Sequence, residues 1–172
     1  MNALDRPDLA EVPTFYHGYL ALAEGHDLLQ ALRDASARTV STIAHIPVGK
    51  GDHRYAPGKW SIKEVLQHVI DAERIFSYRA LRFARNDATE LAGFDENTYA
   101  ANALADRRDL NDLAQELGVV SASTTTLFQS FSPAMLLRSG TANNVSISVR
   151  ALGWVIAGHA THHMNVIAQR YL

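Results

Sequence analysis

The stretch Trp60-Ser61-Ile62-Lys63-Glu64-Val65-Leu66-Gln67-His68-Val69-Ile70-Asp71-Ala72-Glu73-Arg74-Ile75-Phe76 decides the fold. Ser61 and Glu64 have the spacing of a capping box. The serine oxygen can satisfy an early helix N–H, and the glutamate can reach back to the cap. Trp60 sits just ahead, placed to pack on the first turn. Apolar residues then follow a helical period through Val65, Leu66, Val69, Ile75, Phe76, Leu81 and Phe83, with an end expected near Asn86. A helix of about 25 residues can span a small domain. His68 stands in its middle, among Val65, Leu66, Ala72 and Ile75, and so belongs at or near the core face.

Further helical patterns flank this one. Pro13 can open a short helix through Phe15, Tyr16, Tyr19 and Leu20, and Gly25-His26-Asp27 breaks it. Asp27 is the expected N-cap of a helix through Leu28, Leu32, Ala35, Thr39 and Ile43, which Pro47 and Gly49 end. Residues 47–59 read as a loop and residues 1–12 as loosely ordered. A short helix is expected near Asp95–Ala103. A long one follows from about Asp109 to Ser130, carried by the period of its flanks across the poor helix formers Ser121-Ala122-Ser123-Thr124-Thr125-Thr126. Ser132-Pro133 breaks it, Ala134–Arg138 can add one turn, and Gly140–Asn144 forms a loop or small hairpin. The last helix runs from near Ser148 to about Tyr171. Four long helical patterns with few strand signals predict an all-α fold, an antiparallel four-helix bundle with short connecting helices.

A chain of 172 residues is read as one domain, residues 1–172, long enough to bury a core. Hydrophobic residues make up 47% and charged residues 20%, a globular balance. The net charge of −2, without a basic cluster or recognition motif, argues against nucleic acid. No polybasic segment or long apolar run argues for a membrane. The polar start carries no apolar signal-peptide core, so no export leader is expected. There is no cysteine, which excludes disulfides, thiolate ligands and a cysteine nucleophile. It points to the cytoplasm while remaining compatible with other compartments. Any metal site must use histidine, carboxylate and water.

The last helix carries Gly158-His159-Ala160-Thr161-His162-His163. His159 and His163 are four residues apart, on one face and one turn apart, close enough to hold one metal ion. His162 competes, but its ring direction differs from that of His159 by about 60°, against about 40° for His163, which favours His163. His68 on a facing helix would supply a third nitrogen, leaving positions for water or substrate. Taken singly, each part has a plainer reading: a buried histidine is more often a hydrogen-bonded core residue. His17, His26, His45 and His53 read as solvated.

The stretches Tyr55–His68, Asp71–Phe76 and Tyr78–Arg85 resemble the loop and second helix of the DinB/YfiT-like superfamily. Ser148–Gly153, Ala157-Gly158-His159 and His162-His163-Met164-Asn165 resemble its last helix. The similarity covers nearly the whole chain in order. It implies a four-helix bundle with a three-histidine divalent-metal site at His68, His159 and His163, the metal being zinc, nickel or another divalent ion. It also implies a homodimer. Some relatives are thiol-dependent transferases or isomerases using low-molecular-weight thiols, and others metal-dependent hydrolases; the family name reflects damage-inducible expression in some bacteria, a stress response.

The expected function is therefore a metal-dependent enzyme, hydrolase or thiol transferase, acting on a small molecule. The alternative is a non-catalytic, metal-stabilised binding or stress-response protein. Asp71, one turn beyond His68, is a candidate to orient a ligand imidazole through its other ring nitrogen. The plainer reading pairs Asp71 and Glu73 with Arg74 on the helix surface. Arg79 and Arg170 lie three turns from His68 and His159 on nearly the same faces. Either can bind an anionic group, the plainer reading being solvated or ion-paired ends of the bundle. Trp60 and Trp154 read as packing residues, and Tyr99 as a residue at a pocket mouth.

Overall fold

The computed structural model describes residues 2–172. In chain order its helices are α1 (His17–Leu22), α2 (Leu28–Ala44), α3 (Ile62–Ala84), α4 (Glu96–Asn102), α5 (Leu110–Gln129), α6 (Pro133–Leu136) and α7 (Val149–Val166). Strands β1 (Ser139–Ala142) and β2 (Val145–Ser148) form an antiparallel hairpin ahead of α7. Asn143 and Asn144 turn it in the left-handed region, as a tight two-residue hairpin requires.

Side chains start most of the long helices. Asp27 accepts from the Gln30 N–H at 2.9 Å and Ser148 from the Ala151 N–H at 3.2 Å. The capping box of α3 is complete: Ser61 Oγ accepts from the Glu64 N–H, and the Glu64 carboxylate accepts from the Ser61 N–H at 2.6 Å. The serine–threonine run of α5 holds its helix because its hydroxyls find acceptors without unwinding the backbone. Thr125 and Thr126 donate to carbonyls one turn back, and Ser121 reaches across to α3.

The long helices form a four-helix bundle. α2 packs on α7 and α5, and α3 packs on the same two, so the order around the bundle is α2, α7, α3, α5. Consecutive long helices α2 and α3 share no main interface, and the segment between them has to span a diagonal. α7 is the central helix: every residue from Val149 to Thr161 is buried. Its apolar run is continuous, the pattern of a helix covered on all sides. Gly158 lets α1 cross it closely, since a Cβ there would stand 1.8 Å from the Tyr19 carbonyl oxygen. No helix among the described residues is long and apolar enough to cross a membrane.

One expectation needs correction. The N-terminal stretch is not loose where described. Ala3 and Val12 are buried, and Glu11 pairs with the buried Arg150 through Nε at 2.9 Å. Arg6 donates to the Leu20 and Ala23 carbonyls and stacks over Trp154. The sequence hid this because each anchor is polar and its partner lies far along the chain. The last helix runs to Tyr171 as expected, with a change of winding at its end. From Ile167 it widens into a π-helical turn, with Leu172 N–H donating to the Ile167 carbonyl at 3.2 Å. Ile167 and Tyr171 are both buried in that turn.

Candidate metal centre

The three histidines singled out in the sequence meet between α3 and α7. His159 Nε2 lies 3.0 Å from His68 Nε2 and 3.1 Å from His163 Nε2, and all three ligand atoms fall within 4.8 Å of one another. His159 is buried and the other two are partly buried. The periodicity of α3 turns His68 inward, and the four-residue spacing on α7 stacks the other two rings on one face.

Burial holds all three imidazoles in the neutral form. It lowers His68 to about 4, partly offset by the field of Glu96. It lowers His163 to about 3, helped by His68 and His162. It pulls His159 well below the ordinary histidine value, with His163, His68 and His162 adding to the effect. One ring nitrogen carries either a proton or a lone pair, so His159 Nε2 cannot satisfy two neighbouring Nε2 atoms at once. A cation resolves this crowding. With metal–nitrogen bonds of about 2.0–2.1 Å, two ligand nitrogens stand about 3.0 Å apart at a right angle and about 3.3 Å apart at the tetrahedral angle. The two spacings to His159 fit that geometry, and the three residues form an all-nitrogen donor set.

Aromatic rings wall the triad. Trp60 lies 4.9 Å from His68 between ring centroids, and Tyr19 and Phe76 meet His159 edge-on at 5.1 and 6.0 Å. Tyr19 also contacts His162, at 5.3 Å. On the other side, a cleft of about 400 Å³ reaches the triad at His163 and is lined by Tyr55, Lys59, Trp60, Asn97, His162, Arg170 and Tyr171, among others. Tyr171 closes its rim by donating to the Trp60 carbonyl at 2.7 Å. His162 lines this cleft without joining the triad. Trp60 is thus more than packing, whereas Trp154 is fully buried in the core.

Other sequence candidates lie elsewhere. Asp71 accepts from Gln67 Nε2 at 3.0 Å, and Arg108 donates to Gln67 and pairs with Glu116. Among the described residues no hydrogen bond joins Asp71 to any of the three imidazoles, so it does not orient them; it lies instead beside Gln67 and the residues of α4. Glu73 is buried rather than paired with Arg74, which pairs with Glu116. Arg79 is buried and donates to the Ala92 carbonyl at 2.9 Å, pinning the segment after α3. Tyr99 packs on Phe94 and lines a separate surface hollow with Asp71 and Arg74. Of the four remaining histidines, His26, His45 and His53 are exposed, and His17 contacts the Val12 carbonyl at 2.8 Å. The ring walls at Tyr19 and Phe76 went unread. Gly158 was the available signal, since a glycine one residue before a ligand marks a close backbone crossing.

Fold and site together define a class, the four-helix bundle with three inward-facing histidines between its helices. The family model of the DinB superfamily matches residues 29–167, and the chain belongs to that superfamily. Its structure is similar to YfiT from Bacillus subtilis, described as a probable metal-dependent hydrolase with an unusual four-helix bundle topology. The similarity has a TM-score of 0.73 at 14% identity and covers 96% of this chain and 91% of that one. No curated protein sequence matches this chain.

Proposed function

We propose that the chain is a metal-dependent enzyme, a hydrolase or a transferase using a low-molecular-weight thiol, with His68, His159 and His163 holding one divalent ion. The observation that carries this is the convergence of three neutral imidazole nitrogens beside a cleft large enough for a small molecule. The nitrogen donor set suits zinc or nickel. A divalent ion held there would supply Lewis acidity toward a bound water or thiol. The neutral ligands leave its charge uncompensated. Trp60, Tyr19 and Phe76 exclude bulk water from the other faces of the triad. His162, in the cleft, offers an imidazole to take up or return a proton beside the reacting group. The same reading includes a homodimer in the cytoplasm, resting on the family resemblance and the lack of cysteine.

The test is elemental analysis and zinc and nickel titration of the wild type and His68→Ala. The wild type should bind one equivalent, and the variant should lose at least about 100-fold in affinity. Equal binding by both would overturn the site. Metal-dependent turnover of esters, amides or thiol-acceptor pairs then supports an enzyme. A sharp fall in melting temperature on chelation, with no turnover of any class, supports the metal-stabilised binding protein.

A further inference from the structure

The cleft beside His163 has an uneven charge. Its lining includes Lys59 and Arg170 but no carboxylate. Among the described residues neither cation is in an ion pair. The neighbouring acid Glu64 is already committed, to Arg54 at 2.5 Å and to its own helix cap. Glu96, whose field reaches His68, is not in the lining. The Arg170 guanidinium stands 5.4 Å from the centre of the Tyr55 ring, held over its face by a cation–π contact. Tyr55 in turn meets Tyr171 edge-on at 4.9 Å. The cleft therefore pairs ordered aromatic surface with uncompensated positive charge.

The larger groove between α2 and α5 shows that this is not a general property of the surface. It sets Lys63 among Asp52, Asp109 and Asp112, and Lys63 pairs with Asp52 at 3.0 Å. The cation there is neutralised by carboxylates of the protein itself. Beside His163 it is not, and a guanidinium pre-placed on a ring is well suited to a carboxylate.

We infer that this cleft selects an anionic substrate, a small carboxylate with a flat apolar body. Arg170 and Lys59 hold the carboxylate, and the rings of Tyr55, Trp60 and Tyr171 hold the body against the side of the triad. This deepens the reading of the triad as a reaction centre by naming its substrate class, but the anchoring residues themselves do not depend on a metal.

Benzoate and its neutral isostere benzamide are the probes, titrated by calorimetry into zinc-loaded and metal-stripped protein. Wild type should bind benzoate about tenfold or more tighter than benzamide in both forms. The double variant Lys59→Met with Arg170→Met should bring benzoate down to the level of benzamide, with zinc content and melting temperature unchanged. Equal affinity for the two probes in wild type, or no benzoate binding at millimolar concentration, overturns the inference. So does a preference that survives the double variant, which would place the anion on the metal alone. A preference that persists in protein unable to bind zinc upholds the cleft and removes the metal centre, so the two readings fail separately.

Discussion

Two of the buried polar clusters in this bundle are built differently. Between α3 and α5, Glu73 accepts from Ser121 Oγ at 3.1 Å, and Thr124, which also bonds the carboxyl, meets Ser77 Oγ at 3.0 Å. Hydroxyls there face a carboxyl group that burial pushes toward its protonated form, so each group finds a partner inside the protein. Between α3 and α7, His159 Nε2 faces two other imidazole nitrogens at hydrogen-bond distance, and it has only one proton or one lone pair to offer them. The first cluster is closed chemically; the second has the donor set and spacing that could hold a cation. Burial and polarity alone do not mark a site. The distinguishing sign is one ring nitrogen crowded by two others, more contacts than its single proton or lone pair can satisfy.

The largest expected difference between the clusters lies in acid. In metal-stripped protein the triad resists protonation when folded but not when unfolded. Between about pH 6.5 and pH 4 the unfolded chain binds more protons, so stability falls as pH falls. His68 alone accounts for a loss on the order of 3 kcal/mol. Denaturant titrations of stripped protein from pH 7 to pH 4 should show this slope, and His68→Leu should lessen it, leaving the part due to His159 and His163. An unchanged slope in that variant would break the contrast.

A second test alters the wall of the triad and leaves the ligands in place. Gly158→Val should destabilise the fold by about 1–3 kcal/mol, because the added carbons strike the Tyr19 carbonyl. Thermal melts compared with Gly118→Val separate this clash from the general cost of valine in a helix, since nothing lies within 4 Å of Gly118. Equal losses at the two positions would mean that the α1 crossing does not depend on Gly158.

The smallest effect belongs to the closed cluster, and its sign is opposite. Glu73 is raised by burial, so the folded state keeps a proton that the unfolded chain releases above the ordinary glutamate value. Its contribution declines as pH rises. Glu73→Gln keeps the shape and a donor while removing the titration, so it should leave zinc binding intact and lessen the loss of stability toward neutral pH. A fall in zinc affinity in this variant would show that the two clusters are coupled.

The sequence exposed the parts that repeat locally. The capping box at Ser61, the period of α3 and the spacing of His159 and His163 each lie within one helix, and each is found where expected. His68 followed from the apolar neighbours that turn it inward. Asp71 failed because helical spacing gives only an approximate direction, and Gln67, one turn back, captures its carboxylate. Tyr55, Lys59 and Tyr171 went unread as a cleft, since they come from a loop and a widened helix end whose meeting no local pattern encodes. The diagonal placement of α2 and α3 is likewise a property of the connections, which periodicity does not report.

The division of the triad between two helices sets an order of events. His159 and His163 become neighbours as soon as one turn of α7 winds, a local step. His68 lies 91 residues from His159 in sequence and joins them only when the bundle has closed. A nascent or denatured chain thus offers two donors, and the native one three. Tight capture of a metal by the triad would consequently report on completed folding: the ion would be acquired late, and partial opening of the α3–α7 contact would be enough to release it.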